Sequence, residues 1–117
     1  MDLAALKARR AKIEIEYDEQ KLSIEIQPHI ITPAYRATLR EKLKKLQEEG
    51  ASENAVYSET IMQNVVDVVA GWDITLGGQP YPVSRESVAA LPESLVALIW
   101  NKIDDYLGKL TPKEPSA

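Results

Sequence analysis

The 117-residue chain has the length of one domain, and 44% of its residues are hydrophobic, enough for a modest core. A formal net charge of −4 lacks the basic surface that phosphate binding needs, so nucleic acid is not expected as a partner. With no cysteine, disulfides, zinc–thiolate sites and thiol catalysis are excluded.

No apolar run approaches the roughly 20 residues that span a bilayer, and the N-terminus lacks the apolar core of a signal peptide. A soluble intracellular protein, with no membrane partner, is expected. Phenylalanine is absent, which leaves Ile, Leu, Val and a few Tyr and Trp to build the core.

The stretch "DLAALKARR", residues 2–10, reads as a short helical lead-in capped by Asp2. Its basic cluster of Lys7, Arg9 and Arg10, with Lys12 beyond, reads as a solvated helix end. The period then changes to 2. Ile13, Ile15 and Tyr17 alternate with Glu14 and Glu16, and Leu22, Ile24 and Ile26 alternate with Ser23, Glu25 and Gln27. With the short polar link "DEQK", residues 12–27 form a β-hairpin with one apolar and one acidic face. A lone hairpin is marginal in water, so its apolar face should lie on the helices that follow. Its outer edges either accept a strand from another chain or are protected by the charged face and by twist.

Thr32 caps a helix that Pro33 begins, with Tyr35, Leu39, Leu43 and Leu46 at helical spacing and Gly50 as its stop. A second helix is expected from Glu53 to Ala70, capped by Ser52, with Tyr57, Ile61, Val65, Val68 and Val69 as its stripe. The run "NVVDVVAGW" is rich in β-branched residues but fits the 3.6-residue period, so it is assigned to this helix, with Gly71 ending it in a left-handed turn. Gly77-Gly78 supplies a tight turn between "WDITL" and "QPYPV", where Pro80 and Pro82 prevent a full ladder. Ser84 caps a short helix that Leu91-Pro92 ends. The last helix carries Leu95, Leu98, Ile99, Ile103, Tyr106 and Leu107 as its stripe, with Gly108 as its stop.

The fold expected is therefore α+β and mostly helical. An N-terminal β-hairpin packs beside about four helices, with a short irregular Gly-Gly hairpin between the second and third. Residues 1–110 form the single domain and residues 111–117 a flexible tail.

Nothing in the chain assembles a reactive constellation. His29 is the single histidine and has no acidic neighbour in sequence to orient it. Glu14, Glu16 and Glu25 share a hairpin face that reads as solvated, and Asp104-Asp105 reads as helix surface. Gly77-Gly78 lacks the spacing of a phosphate loop. An enzyme is not expected, nor a cofactor or metal. Trp72 and Trp100 are either core covers or interface anchors. The partner-binding candidates are the hairpin residues Ile13, Ile15, Leu22 and Ile24, together with Trp72 and Trp100.

The signal order over "GWDITLGGQPYPVSRESVAALPESLVALIWNKI" resembles the tail assembly chaperones of long-tailed, siphovirus-type bacteriophages. In that family a helix ends near a tryptophan and an acidic residue. A glycine turn, a proline-bearing strand, a capped helix, Leu-Pro and a last amphipathic helix follow. The matching positions here are Trp72, Asp73, Gly77, Gly78, Pro82, Ser84, Leu91 and Pro92. Residues 71–103 match in detail, and the first half, a hairpin and then "ITPAYRATLREKL", matches in element order. The resemblance implies a protein of the host cytoplasm, absent from the finished virion. It would bind the tape measure protein, keep it soluble and help recruit tail tube subunits, possessing no catalytic residues. Together with the hairpin's exposed edge, that role makes self-association into a homo-oligomer an expectation. The alternative is a structural head–tail connector or minor tail component retained in the particle.

Overall fold

In the computed structural model, which describes residues 1–110, the chain is α+β. The expected tail at 111–117 lies outside the described residues. Helix α1, Leu3–Ala8, begins at Asp2, whose carboxylate accepts from the Ala4 N–H at 3.1 Å. Strands β1, Ala11–Tyr17, and β2, Gln20–Ile26, pair antiparallel from Ala11↔Ile26 to Tyr17↔Gln20. This register sets Ile13 opposite Ile24 and Ile15 opposite Leu22 on one face, and Lys12 opposite Glu25 and Glu16 opposite Lys21 on the other. The turn residues Asp18 and Glu19 both have positive φ, 49° and 63°, as a two-residue hairpin of right-handed twist requires.

A 3-10 turn at Pro28–Ile30 leads to α2, Pro33–Glu48. Thr32 Oγ1 accepts from Tyr35 N–H at 3.1 Å, and proline, with no N–H to lose, takes the first helical position. The end of α2 closes at Gly50, φ +93°, through Gly50 N–H to the Gln47 carbonyl and Ala51 N–H to the Leu46 carbonyl, both 3.0 Å. Helix α3, Glu53–Val68, then returns along α2 with Ser52 as its cap. No residue of α2 is fully buried, whereas α3 buries Asn64, Val65 and Val68 in its C-terminal half. A polar seam completes the α2–α3 contact. Tyr35 Oη donates to Asp67 Oδ2 at 2.8 Å, and Lys42 Nζ donates to Gln63 Oε1 at 2.8 Å.

Beyond Val68 the expected helix is corrected. Val69–Trp72 is strand β3, which joins the hairpin as a third strand in the order β1-β2-β3. Ile24 pairs with Trp72, Glu25 with Gly71 and Ile26 with Val69, with an irregularity that leaves Ala70 as the extra residue. Gly71 is therefore an extended strand residue, not a left-handed helix stop. The physical reason is the outer edge of β2, whose backbone groups need partners. Asp73 N–H donates to the Ser23 carbonyl at 3.1 Å and Gln27 N–H to the Val68 carbonyl at 2.8 Å, holding β3 at both ends. Valine and tryptophan suit that half-buried pleated position.

Strands β4, Thr75–Leu76, and β5, Gln79–Pro80, form the short Gly-Gly hairpin, with φ of 58° and 83° at Gly77 and Gly78. Helix α4, Arg85–Ala89, is capped by Ser84, and after Leu91-Pro92 comes α5, Glu93–Leu110. Gly108 does not stop α5; it lies inside the last turn.

The core lies between the sheet and the helices. Ile15, Leu22, Ile24 and Ile26 from the sheet meet Val65 and Val68 of α3, Val69 of β3, Val88 of α4, and Leu95, Ile99 and Ile103 of α5. The phenolic oxygen of Tyr17 lies 2.6 Å from the Ser94 hydroxyl and ties the hairpin tip to the start of α5. Among the described residues, no helix is long and apolar enough to cross a membrane.

Candidate partner-binding surfaces

Three of the six residues read as partner contacts are core. Ile15 is 3% exposed, Leu22 7% and Ile24 0%, so their side chains reach a partner only if the domain opens. That reading is corrected. The alternation identified an apolar face, and α3 and α5 of the same chain cover it. Ile13 differs, being half-buried on β1, the strand that bounds the sheet.

Trp72 is held in place by its own chain. Its Nε1–H donates to the Tyr81 carbonyl at 2.6 Å, and its ring stacks on Tyr81 with centroids 6.2 Å apart and planes 16° apart. Tyr81 Oη in turn donates to the Ser87 carbonyl at 2.8 Å, which links β3 through the loop to α4. Trp72 is therefore a strut between the sheet and α4. Trp100 is half-buried against the core from α5.

Packing leaves an apolar groove open between the N-terminal half of α3 and the α4–α5 pair. It has a volume of about 260 Å³. Ile61 and Met62 of α3 face Leu91 and Val96 across it, and Tyr57 and Asn101 stand at its borders. Tyr57 is 66% exposed, the largest ring left in water. Two turns further along α3, Val65 and Val68 are fully covered by the sheet and α5. The groove exists because α3 runs past the end of the core. Of its lining residues, only Tyr57 and Ile61 belong to an apolar stripe of the sequence, and nothing in a stripe marks where coverage ends.

Beside the groove, α3 carries a cluster of charges. Glu59 accepts from Arg85 of α4 through Oε2, and its Oε1 lies 3.2 Å from Lys42 Nζ of α2, an ion pair without hydrogen-bond geometry. The Arg85 hydrogen bond, chiefly, holds the Glu59 carboxyl below its ordinary value, against the opposing effect of its burial. Burial, reinforced by the hydrogen bond to Asp67, pushes the Tyr35 phenol well above its ordinary range. These groups join α2, α3 and α4. Among the described residues, no group of three or more His, Asp or Glu side chains is placed to hold a metal ion.

His29, in the 3-10 turn, lies among Leu3, Leu6, Pro28, Ile31 and Leu107 in a shallow depression under α1. Glu14, Glu16 and Glu25 sit on the solvent face of the sheet, where Lys12 and Arg10 pair with Glu14 and Glu25. Comparison with protein-family models, with curated proteins and with solved structures yields no match.

Proposed function

We propose that this chain is a binding protein without a reaction of its own, acting as the tail assembly chaperones it resembles act. In this reading it holds the tape measure protein in solution within the host cytoplasm, helps bring tail tube subunits to it, and leaves before the virion is complete. The observation that carries the reading is the open groove between α3 and the α4–α5 pair. A tape measure protein is a long helical chain, and an amphipathic helix docks by laying apolar anchors one turn apart into such a groove. Met62 suits a holdase, because its unbranched thioether repacks around differing anchors. Glu93 and Asn101 at the border give polar neighbours to the client's solvated face.

Co-expression with the tape measure protein, followed by size exclusion and mass analysis, tests this. The client alone is expected in the pellet, and with this chain it co-elutes as a soluble complex. Tyr57→Glu, at an exposed position, places a charge at the groove border and is expected to abolish co-elution while far-UV circular dichroism stays unchanged. A client that stays insoluble while this chain elutes alone overturns the reading. Detection of the chain in purified particles would then favour the connector or minor tail component.

A further inference from the structure

The three-stranded sheet has two edge strands, β1 and β3, and β1, with seven residues against four, is the longer. Ser23 directs its backbone groups at Asp73, and Gln27 directs its N–H at Val68, so alternation turns Leu22, Ile24 and Ile26 toward β1. Ala11, Ile13 and Ile15 are their partners on β1. The backbone N–H and C=O groups of Lys12, Glu14 and Glu16 therefore face outward, and among the described residues no strand meets them. Such an edge is a template for another strand.

The charges along this edge are ordered. Starting at Arg10, just before the strand, they run Arg10, Lys12, Glu14, Glu16, two basic and then two acidic, alternating with apolar positions. A strand of that order is complementary to itself when reversed. Placing Ile13 opposite the Ile13 of a second copy sets Lys12 opposite Glu14 twice and Arg10 opposite Glu16 twice. It also makes Lys12 and Glu14 the hydrogen-bonded pair, which is the pair whose backbone groups face outward. The two Ile13 residues then meet at a non-hydrogen-bonded position, where side chains approach most closely. Ile13 is half-buried, whereas Ile15 and Ile24 beside it are fully covered by their own chain.

We propose that the free edge of β1 is a homotypic docking edge. A second copy of the chain adds its own β1 antiparallel across a two-fold axis at Ile13, giving a continuous six-stranded sheet. This proposal does not rest on the client groove. The contact is one strand pair, at the small end of specific interfaces, so the dimer is reversible and of about micromolar affinity or weaker.

Sedimentation analysis of the full chain across roughly the micromolar to millimolar range tests it. The wild type is expected to shift from monomer to dimer. Lys12→Glu and Glu14→Lys each turn two opposite-charge pairs into like pairs, and each is expected to weaken self-association about tenfold or more. Both side chains are well exposed, 65% and 66%, so the fold is retained, and circular dichroism checks it. An equal mixture of the two variants is expected to dimerise as the wild type does, because residue 12 of one copy then faces an opposite charge at residue 14 of the other in both places. A wild type that stays monomeric throughout overturns the proposal. So do single variants that associate unchanged, and a mixture that does not recover.

Discussion

Trp72 lies opposite Ile24 across the β2–β3 pair, the large half-buried ring beside a side chain with no exposed surface. This pairing carries the sheet from the hairpin to the loop that positions α4, since Trp72 also bonds and stacks with Tyr81. Loss of the ring is therefore expected to loosen two elements at once. Trp72→Ala should lower stability by about 3 kcal/mol, and Trp72→Phe, which keeps a ring but leaves the Tyr81 carbonyl without its donor, by about 1 kcal/mol. Urea denaturation followed by circular dichroism measures both. Equal losses would show that the hydrogen bond matters more than the packing.

The hairpin isoleucines differ sharply in what they contribute. Ile24→Ala leaves a cavity at the centre of the core and should cost about 4 kcal/mol. Ile13→Ala, at a half-buried edge position, should cost about 1 kcal/mol in the monomer. Denaturation at low protein concentration separates these values from any effect of association.

Glu19 holds a left-handed backbone, φ 63°, that a side chain adopts at a cost. Glu19→Gly removes that cost and matches the residue type two-residue hairpins favour at this position. A gain of about 1 kcal/mol is expected, read as a higher urea midpoint at unchanged slope. A loss would mean that the side chain makes a contact that outweighs the strain.

Glu59 links acid sensitivity to the α3–α4 contact. Its carboxyl is held below the ordinary 4.5 by the hydrogen bond from Arg85. A depressed carboxyl stabilises the fold in full above its unfolded-state value, and the contribution disappears as pH falls through the folded-state value. Glu59→Gln should therefore lower stability by about 1 kcal/mol at pH 7, a modest figure because Arg85 is 48% exposed. The difference between wild type and variant should shrink in acid, below about pH 4.5. A difference that is constant with pH would place its origin in shape rather than charge.

Local chemistry made much of this architecture legible in the chain itself. Asp2, Thr32, Ser52 and Ser84 each cap a helix through a side-chain oxygen within three residues, so sequence spacing alone places the four helix starts. The period-2 alternation of Ile13, Ile15, Leu22 and Ile24 places the hairpin, and the positive φ at Gly77 and Gly78 needs no partner to be anticipated.

What the chain alone left undecided depends on partners distant in sequence. Val69–Trp72 fits a helical stripe as well as a strand, and the choice rests on the unpaired edge of β2, more than forty residues earlier. Gly108 weakens a helix by only about 1 kcal/mol, too little to end α5 there. Periodicity tells which side of an element is apolar but not what covers it. Ile15, Leu22 and Ile24 are closed over by α3 and α5, while Tyr57 and Ile61, on the same stripe as Val65, are left lining a groove. Only the three-dimensional packing decides where the chain's own cover stops, because burial depends on where other helices end rather than on the residues of the stripe itself.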